Sequence, residues 1–175
     1  MGRLRYQINV TLDGCVDHAA LEGTQEMHDV AADSLGRADA LLFGRVTYQM
    51  MESAWRRSSP EEYDDPFVKV INELPKHVVS STLESVGWNS TLLRGDLVQG
   101  VRELKESTDG ELLTGGVTVP RVLAAAGLID AYEFVVHPVV AGHGPRLLDG
   151  VRLDLETVAR TPLESGATLL SLVPR

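Results

Sequence analysis

The sequence predicts an α/β fold in which a mostly parallel central sheet, flanked by helices, acquires antiparallel strands at its C-terminal end. Two observations carry this. Short apolar runs that stop at glycine pass directly into helical periodicity, first at Ala40–Arg45 and again at Leu112–Thr118. Strands that feed helices in this way are the pattern of a parallel sheet with helical crossovers. After Ala131 the helical period disappears, and strand-like segments follow one another across glycine turns, as antiparallel strands do. At 175 residues the chain fits one core, so residues 1–175 are expected to form a single domain.

Element by element, Leu4, Tyr6, Ile8, Val10 and Leu12 alternate with polar residues. This is the period of a strand with one buried face, and Asp13-Gly14 turns the chain. Thr24–Ala38 places Met27, Val30, Ala31 and Leu35 at helical spacing behind a capping threonine, and predicts a surface helix. Ala40–Phe43 is too short for a helix and makes a strand. After Gly44, a helix runs from Arg45 to about Trp55, with Tyr48 and Trp55 seven apart on its core face. An exposed loop over Arg56–Asp65 precedes a short helix around Phe67–Leu74, and the strand Lys76–Val79 runs into Ser80-Ser81-Thr82. Ser90–Arg94 is a short strand, and Leu97, Val98, Val101, Leu104 and Lys105 mark a helix. Glu111–Thr114 is a strand ending at Gly115-Gly116, and a helix over Thr118–Ala126 is closed by Gly127. Strands over Ala131–His137, Val151–Thr161 and Ala167–Val173 complete the chain.

Charge narrows the partners. Sixteen Lys and Arg against twenty-five Asp and Glu leave a formal net charge of −9, which argues against broad binding to nucleic acid or anionic lipid. Any phosphate-bearing ligand must therefore find local positive charge. The lone cysteine, Cys15, cannot close an intramolecular disulfide, supply a Cys-x-x-Cys metal site or build the Cys/His cluster of a zinc deaminase; no metal site is expected. No apolar run approaches the roughly 20 residues of a membrane span, and the N-terminus lacks a signal-peptide core, so the expected location is cytoplasmic.

In a parallel sheet, ligands bind beyond the carboxyl ends of the strands, where helix N-termini offer free N–H groups. Gly44-Arg45-Val46-Thr47 combines a bare backbone, a fixed positive charge and a hydroxyl at one such junction, and Gly115-Gly116-Val117-Thr118 makes another. Together they suit a pyrophosphate; read singly, each is equally a tight turn. Ser80 and Ser81 carry hydroxyls that suit a further phosphate, and equally form turns. Neither junction is a G-x-G-x-x-G fingerprint or a P-loop.

Three segments, Asp39-Ala40-Leu41-Leu42-Phe43-Gly44-Arg45-Val46-Thr47-Tyr48, Lys76-His77-Val78-Val79-Ser80-Ser81-Thr82 and Leu112-Leu113-Thr114-Gly115-Gly116, resemble in order and spacing the dihydrofolate reductase fold. They are more similar still to its bacterial branch related to the reductase domain of the riboflavin-biosynthesis deaminase/reductase. Val10-Thr11-Leu12-Asp13-Gly14 resembles that branch's opening strand, and His137-Pro138-Val139-Val140-Ala141-Gly142-His143-Gly144 its late glycine loop. The resemblance covers essentially the whole chain.

It implies an NADPH-dependent reductase passing hydride to a small heterocyclic substrate, such as an aminouracil of the riboflavin pathway or a pterin. The cofactor would be held by Gly44, Arg45 and Thr47 at the phosphates. Ser80 and Ser81, with Thr82 beside them, would approach the 2′-phosphate, and Gly115, Gly116, Val117 and Thr118 the pyrophosphate and nicotinamide side. It also implies a homodimer paired through the C-terminal sheet, where Leu169–Val173 is apolar. On the substrate side, Asp13 is the expected polar residue, with an Asp-Gly turn as its other reading. Asp29 is the nearest match to the helix acid that holds a pterin, with a solvated helix acid as its other reading. The chain departs from the riboflavin branch at Cys15, where a lysine usually follows the Asp-Gly. His143 would face substrate, a partner subunit or solvent, and His137 is given no role. The alternative function is a non-catalytic NADPH-binding sensory or scaffold domain of the same fold.

Overall fold

The computed structural model covers residues 1–175. Eight strands form one sheet: β1 (Arg3–Thr11), β2 (Ala40–Gly44), β3 (Lys76–Val79), β4 (Ser90–Leu93), β5 (Glu111–Thr114), β6 (Ala131–His137), β7 (Leu155–Pro162) and β8 (Thr168–Pro174). Their spatial order is β4-β3-β2-β5-β1-β6-β8-β7. From β4 to β6 all neighbours are parallel; β8 runs antiparallel to β6 and β7 antiparallel to β8. Five helices, α1 (Gln25–Gly36), α2 (Arg45–Trp55), α3 (Pro66–Glu73), α4 (Leu97–Ser107) and α5 (Thr118–Ala125), flank it.

The sheet divides the interior in two. On one face Leu4, Tyr6 and Val10 of β1 join Leu42 of β2 and Leu112 of β5 against Val101 of α4 and Leu123 of α5. On the other, Leu41 and Phe43 of β2, Val78 of β3 and Leu113 of β5 meet Leu35 of α1, Tyr48 of α2, and Phe67 and Ile71 of α3. Because β2 is covered on both sides, its apolar run is continuous rather than alternating. Leu41, Leu42 and Leu112 are completely buried, so truncating any of them to alanine is expected to cost about 2–5 kcal/mol.

Over β1 the packing under α1 is ionic. Arg5, 2% exposed, donates from Nε to Glu111 Oε1 at 2.7 Å and from Nη1 to Glu133 Oε2 at 2.7 Å. It also bonds the Ser34 hydroxyl, and the Ser34 carbonyl at 2.9 Å. Arg37, just past the end of α1, closes the network by donating twice to Glu133, at 2.9 Å each. Burial pushes the Glu133 carboxyl up, but Arg37 and Arg5 outweigh that and hold it below the usual range. Removing one member strands a buried charge, a loss of about 3–5 kcal/mol. The network therefore fixes α1 across the central strands.

The predicted order of elements holds, with three differences. The strand expected at Val151–Thr161 begins at Leu155. Val151 and Leu153 pack on the core without sheet pairing, since Leu148 and Gly150 turn the chain at positive φ just before them; the apolar alternation reported burial, not a ladder. Leu12, expected on the buried face, is 64% exposed, because β1 ends at Thr11. Single 3-10 turns at His18–Ala20 and Pro60–Glu62 lie in segments where no helix was expected. No helix is long and apolar enough to cross a membrane.

Candidate cofactor and substrate site

The register brings the two strand-glycine-helix junctions together. β2 and β5 are adjacent and parallel, with Leu42 beside Thr114, and the Thr114 hydroxyl donates to the Leu42 carbonyl at 2.8 Å. β5 ends at this pair and β2 two residues later, at Gly44. A Cβ added to Gly44 would lie 2.9 Å from Val119 Cγ2, and one added to Gly116 would lie 2.3 Å from Thr47 Oγ1. Gly116 also has φ +86°, a region that side chains disfavour. Each junction thus needs a bare backbone because the other occupies the space. Gly115 is less constrained: its Cβ would meet only the Gln7 carbonyl, at an ordinary 3.6 Å. The Tyr6 hydroxyl donates to the Gly116 carbonyl at 3.0 Å, and burial pushes its pKa up, so it remains a donor.

The helices that start here differ from the rest. α1, α3 and α4 are capped by the side chains of Thr24, Asp65 and Asp96, whereas α2 and α5 begin at Gly44 and Val117 without a side-chain cap. First-turn N–H groups left in this way carry the positive end of the helix dipole. Arg45 adds a full charge: it is exposed, its side chain hydrogen-bonds to Gln49 Oε1 at 3.2 Å, and it pairs with no carboxylate. Thr118, at the head of α5, is exposed.

β3 follows β2 in the sheet, with Val79 beside Gly44, so Ser80 and Ser81 leave the same rim. Ser80 is buried, and its hydroxyl accepts from the N–H groups of Thr82 at 3.2 Å and Leu83 at 3.0 Å, which makes it the former of this turn. Ser81 is exposed. Beside them a shallow cleft opens between Val79, Leu93 and the start of α4 at Asp96.

The two acids expected on the substrate side lie apart from these glycine junctions. Asp13 Oδ1 accepts from the Thr11 hydroxyl at 2.5 Å and Ala141 N–H at 3.0 Å, while Oδ2 accepts from Gly142 N–H at 2.8 Å and faces Arg146 at 3.2 Å. These donors hold its carboxyl far below the usual range. Asp13 clamps the 139–146 segment and has no proton to give near neutral pH. Asp29 is exposed on α1 and accepts only from Gln25 Nε2, at 2.9 Å. Cys15 is buried against Gly144, and His143 is exposed.

Three residues without an assigned role meet instead where α1 begins and β6 ends. His137 Nε2 lies 2.8 Å from Asn9 Oδ1. Glu26 accepts from the Glu164 and Ser165 N–H groups close enough to His137 to act on its charge. Burial nonetheless pushes the imidazole down, so it is neutral. The signal for Asn9 was present in the alternation of β1, which sends Arg5, Gln7, Asn9 and Thr11 to the face opposite Leu4, Tyr6, Ile8 and Val10.

Comparison with known families places this architecture. The model of the RibD C-terminal domain matches residues 3–168. The chain belongs to the RibD C-terminal domain family. Among similar proteins is the uncharacterised protein YyaP of Bacillus subtilis, 24% identical over 170 residues, covering 94% of this chain and 90% of YyaP. A putative riboflavin biosynthesis protein from Shewanella superposes with a TM-score of 0.73 at 20% identity, covering 99% of both chains. Dihydrofolate reductase from Enterococcus faecalis, solved with NADP(H), superposes at 0.69 with 15% identity, covering 99% of this chain and 96% of that one. The RibD C-terminal domain here thus has the dihydrofolate reductase-like fold, with its glycine junctions on one rim.

Proposed function

We propose that this RibD-type domain is an NADPH-dependent reductase that passes hydride to a small heterocyclic substrate, an aminouracil or a pterin being the classes its family resemblance implies. The observation that carries this reading is the convergence of Gly44–Thr47 with Gly115–Gly116, two uncapped helix starts interlocked through glycines and flanked by the unpaired charge of Arg45. An acidic chain that reserves one free guanidinium for this rim supplies the local cation a phosphate needs. The NADP(H) bound to the Enterococcus relative supports the same choice of cofactor.

Arg45 and the first turn of α2 would hold the phosphates. Gly116, its carbonyl fixed by Tyr6, gives the cofactor a close backbone wall, and Thr118 extends that wall along α5. Ser81 offers the free hydroxyl toward a 2′-phosphate, and Ser80 shapes the turn that presents it. When bound, the nicotinamide supplies the hydride; the chain's own part is to hold, orient and exclude water. A homodimer through the C-terminal sheet and a cytoplasmic location belong to the same reading. The commitment of Asp13 to a loop clamp and of Asp29 to solvent favours a second reading, a domain that binds NADPH without turnover.

Following NADPH absorbance with a panel of pterins, aminouracils and imines separates the two. Turnover supports the reductase, saturable binding without turnover supports the sensor, and absence of saturable NADPH binding overturns both.

A further inference from the structure

A second concavity lies on the same rim but outside the cofactor cradle. Its volume is about 290 Å³, close to the lower end of ligand pockets, which is roughly 300 Å³. Thr24 and Met27 at the start of α1 form one wall, His137, Pro138 and Val139 at the end of β6 another, and Ser165 the rim. We propose that His137, held by Asn9, is the substrate-recognition group of this chain, and that it takes an uncharged heterocycle bearing an N–H donor and rejects a phosphorylated one. This rests on the reductase reading of the rim.

Position supports the assignment. Gly115 abuts the Gln7 carbonyl, and Asn9 is the next residue of β1 on the same face as Gln7. Same-face neighbours on a strand are about 6.6 Å apart, so Asn9 stands one pleat beyond the residue that abuts the Gly115 junction.

The chemistry is specific. Asn9 Oδ1 can only accept, so the 2.8 Å contact requires the proton on His137 Nε2. The lone pair is then on Nδ1, which has no partner in the protein. His137 lines the cavity, so this free acceptor is open to a ligand N–H. Asn9 fixes the tautomer as a positioning residue. The surrounding charge excludes phosphate: Glu22 lines the cavity, Glu26 stands beside His137, and no lysine or arginine lines it. Arg146, the cation of the neighbouring loop, is spent on Asp13. A dianionic group would enter a negative field with no cation to meet it.

The test is calorimetric binding to the full chain, with and without NADPH, of uracil, its N,N-dimethyl analogue, uridine and uridine monophosphate. Uracil and uridine are expected to bind. Methylation of the ring nitrogens and phosphorylation of the nucleoside should each weaken binding at least about tenfold. His137→Leu should lose uracil binding by a similar factor and His137→Gln, which keeps an acceptor, should lose less. Folding of both variants is checked by thermal unfolding, and the wild-type ligand series stands without them. Binding of the monophosphate as tight as uridine, equal binding of the methylated ring, an unchanged His137→Leu variant, or no binding by any probe overturns the proposal. Failure of NADPH to bind overturns the reductase reading instead, and leaves the heterocycle titration readable in its absence.

Discussion

Replacing Gly116 by alanine probes the interlock of the two junctions directly. The new Cβ would sit 2.3 Å from Thr47 Oγ1, where real Cβ atoms keep at least 3.0 Å, and on a backbone at φ +86°. The conformation costs an alanine about 1–2 kcal/mol, and overpacking adds about 1–3 kcal/mol, so Gly116→Ala should lose about 2–5 kcal/mol of stability. Thr47 is half-buried and at the surface end of α2, so Thr47→Ala alone should cost under about 1 kcal/mol. The double variant removes the obstructing atom and keeps only the backbone cost. It should therefore be more stable than the sum of the single losses predicts, by about 1–3 kcal/mol. Urea unfolding of the four proteins measures this, with the slope checked for constancy. Additivity within about 0.5 kcal/mol would refute the interlock. NADPH titration of the same four proteins separates packing from recognition: the double variant should stay weak in binding while its stability recovers.

Arg45→Ala should weaken NADPH binding by about 1.5–3 kcal/mol, the worth of a charge-assisted contact, with stability nearly unchanged; unaltered affinity in calorimetry rejects Arg45 as the phosphate cation. Asp13 has a folded pKa depressed below that of the unfolded chain. Its contribution is present above the ordinary aspartate range and is lost as pH falls through the folded value. Asp13→Asn should therefore be less stable than wild type near neutrality and converge with it in acid, as urea unfolding across the acid range would show. Burial pushes the Lys76 ammonium down to about 8 from 10.5, so the fold disfavours its charged form and stability should rise as pH climbs between those values. Lys76→Met should flatten that rise, worth about 3 kcal/mol, in unfolding experiments on either side of the window. A slope unchanged by the substitution would mean that another group carries it.

The fold was legible because strand and helix periods alternate cleanly around Gly44 and Gly115-Gly116, and those signals are local. Their convergence was not, since the 2.3 Å relation of Gly116 to Thr47 depends on strand order, which periodicity does not encode. Asp13 shows the same limit from the other side. Its Asp-Gly context marked a turn, but the residues that saturate it, Ala141 and Gly142, lie 128 and 129 positions away. Ser80 behaved as its local sequence says serines after strands do, closing a turn. His137 opens the late glycine-loop segment and Glu26 stands in no motif, so neither received a role; only the crossing of α1 over β1 and β6, fixed by Arg5, Glu133 and Arg37, brings the two side by side.

The sheet order also governs when the site comes into being. β1, the first strand made, lies in the middle of the sheet, and its partners are Glu111–Thr114 and Ala131–His137. Nothing can seat it until most of the chain has left the ribosome, and pairing across such separations makes folding slow. Until then Leu4, Tyr6 and Val10 have no core to enter. Tyr6 is also the residue that fastens Gly116, so the glycine junction is complete only once β1 is seated. On the proposed reductase reading, cofactor binding and completion of the domain would be one cooperative event. NADPH is expected to delay unfolding of the whole sheet rather than to stiffen one loop, and a nascent or nicked chain lacking β6 would hold neither.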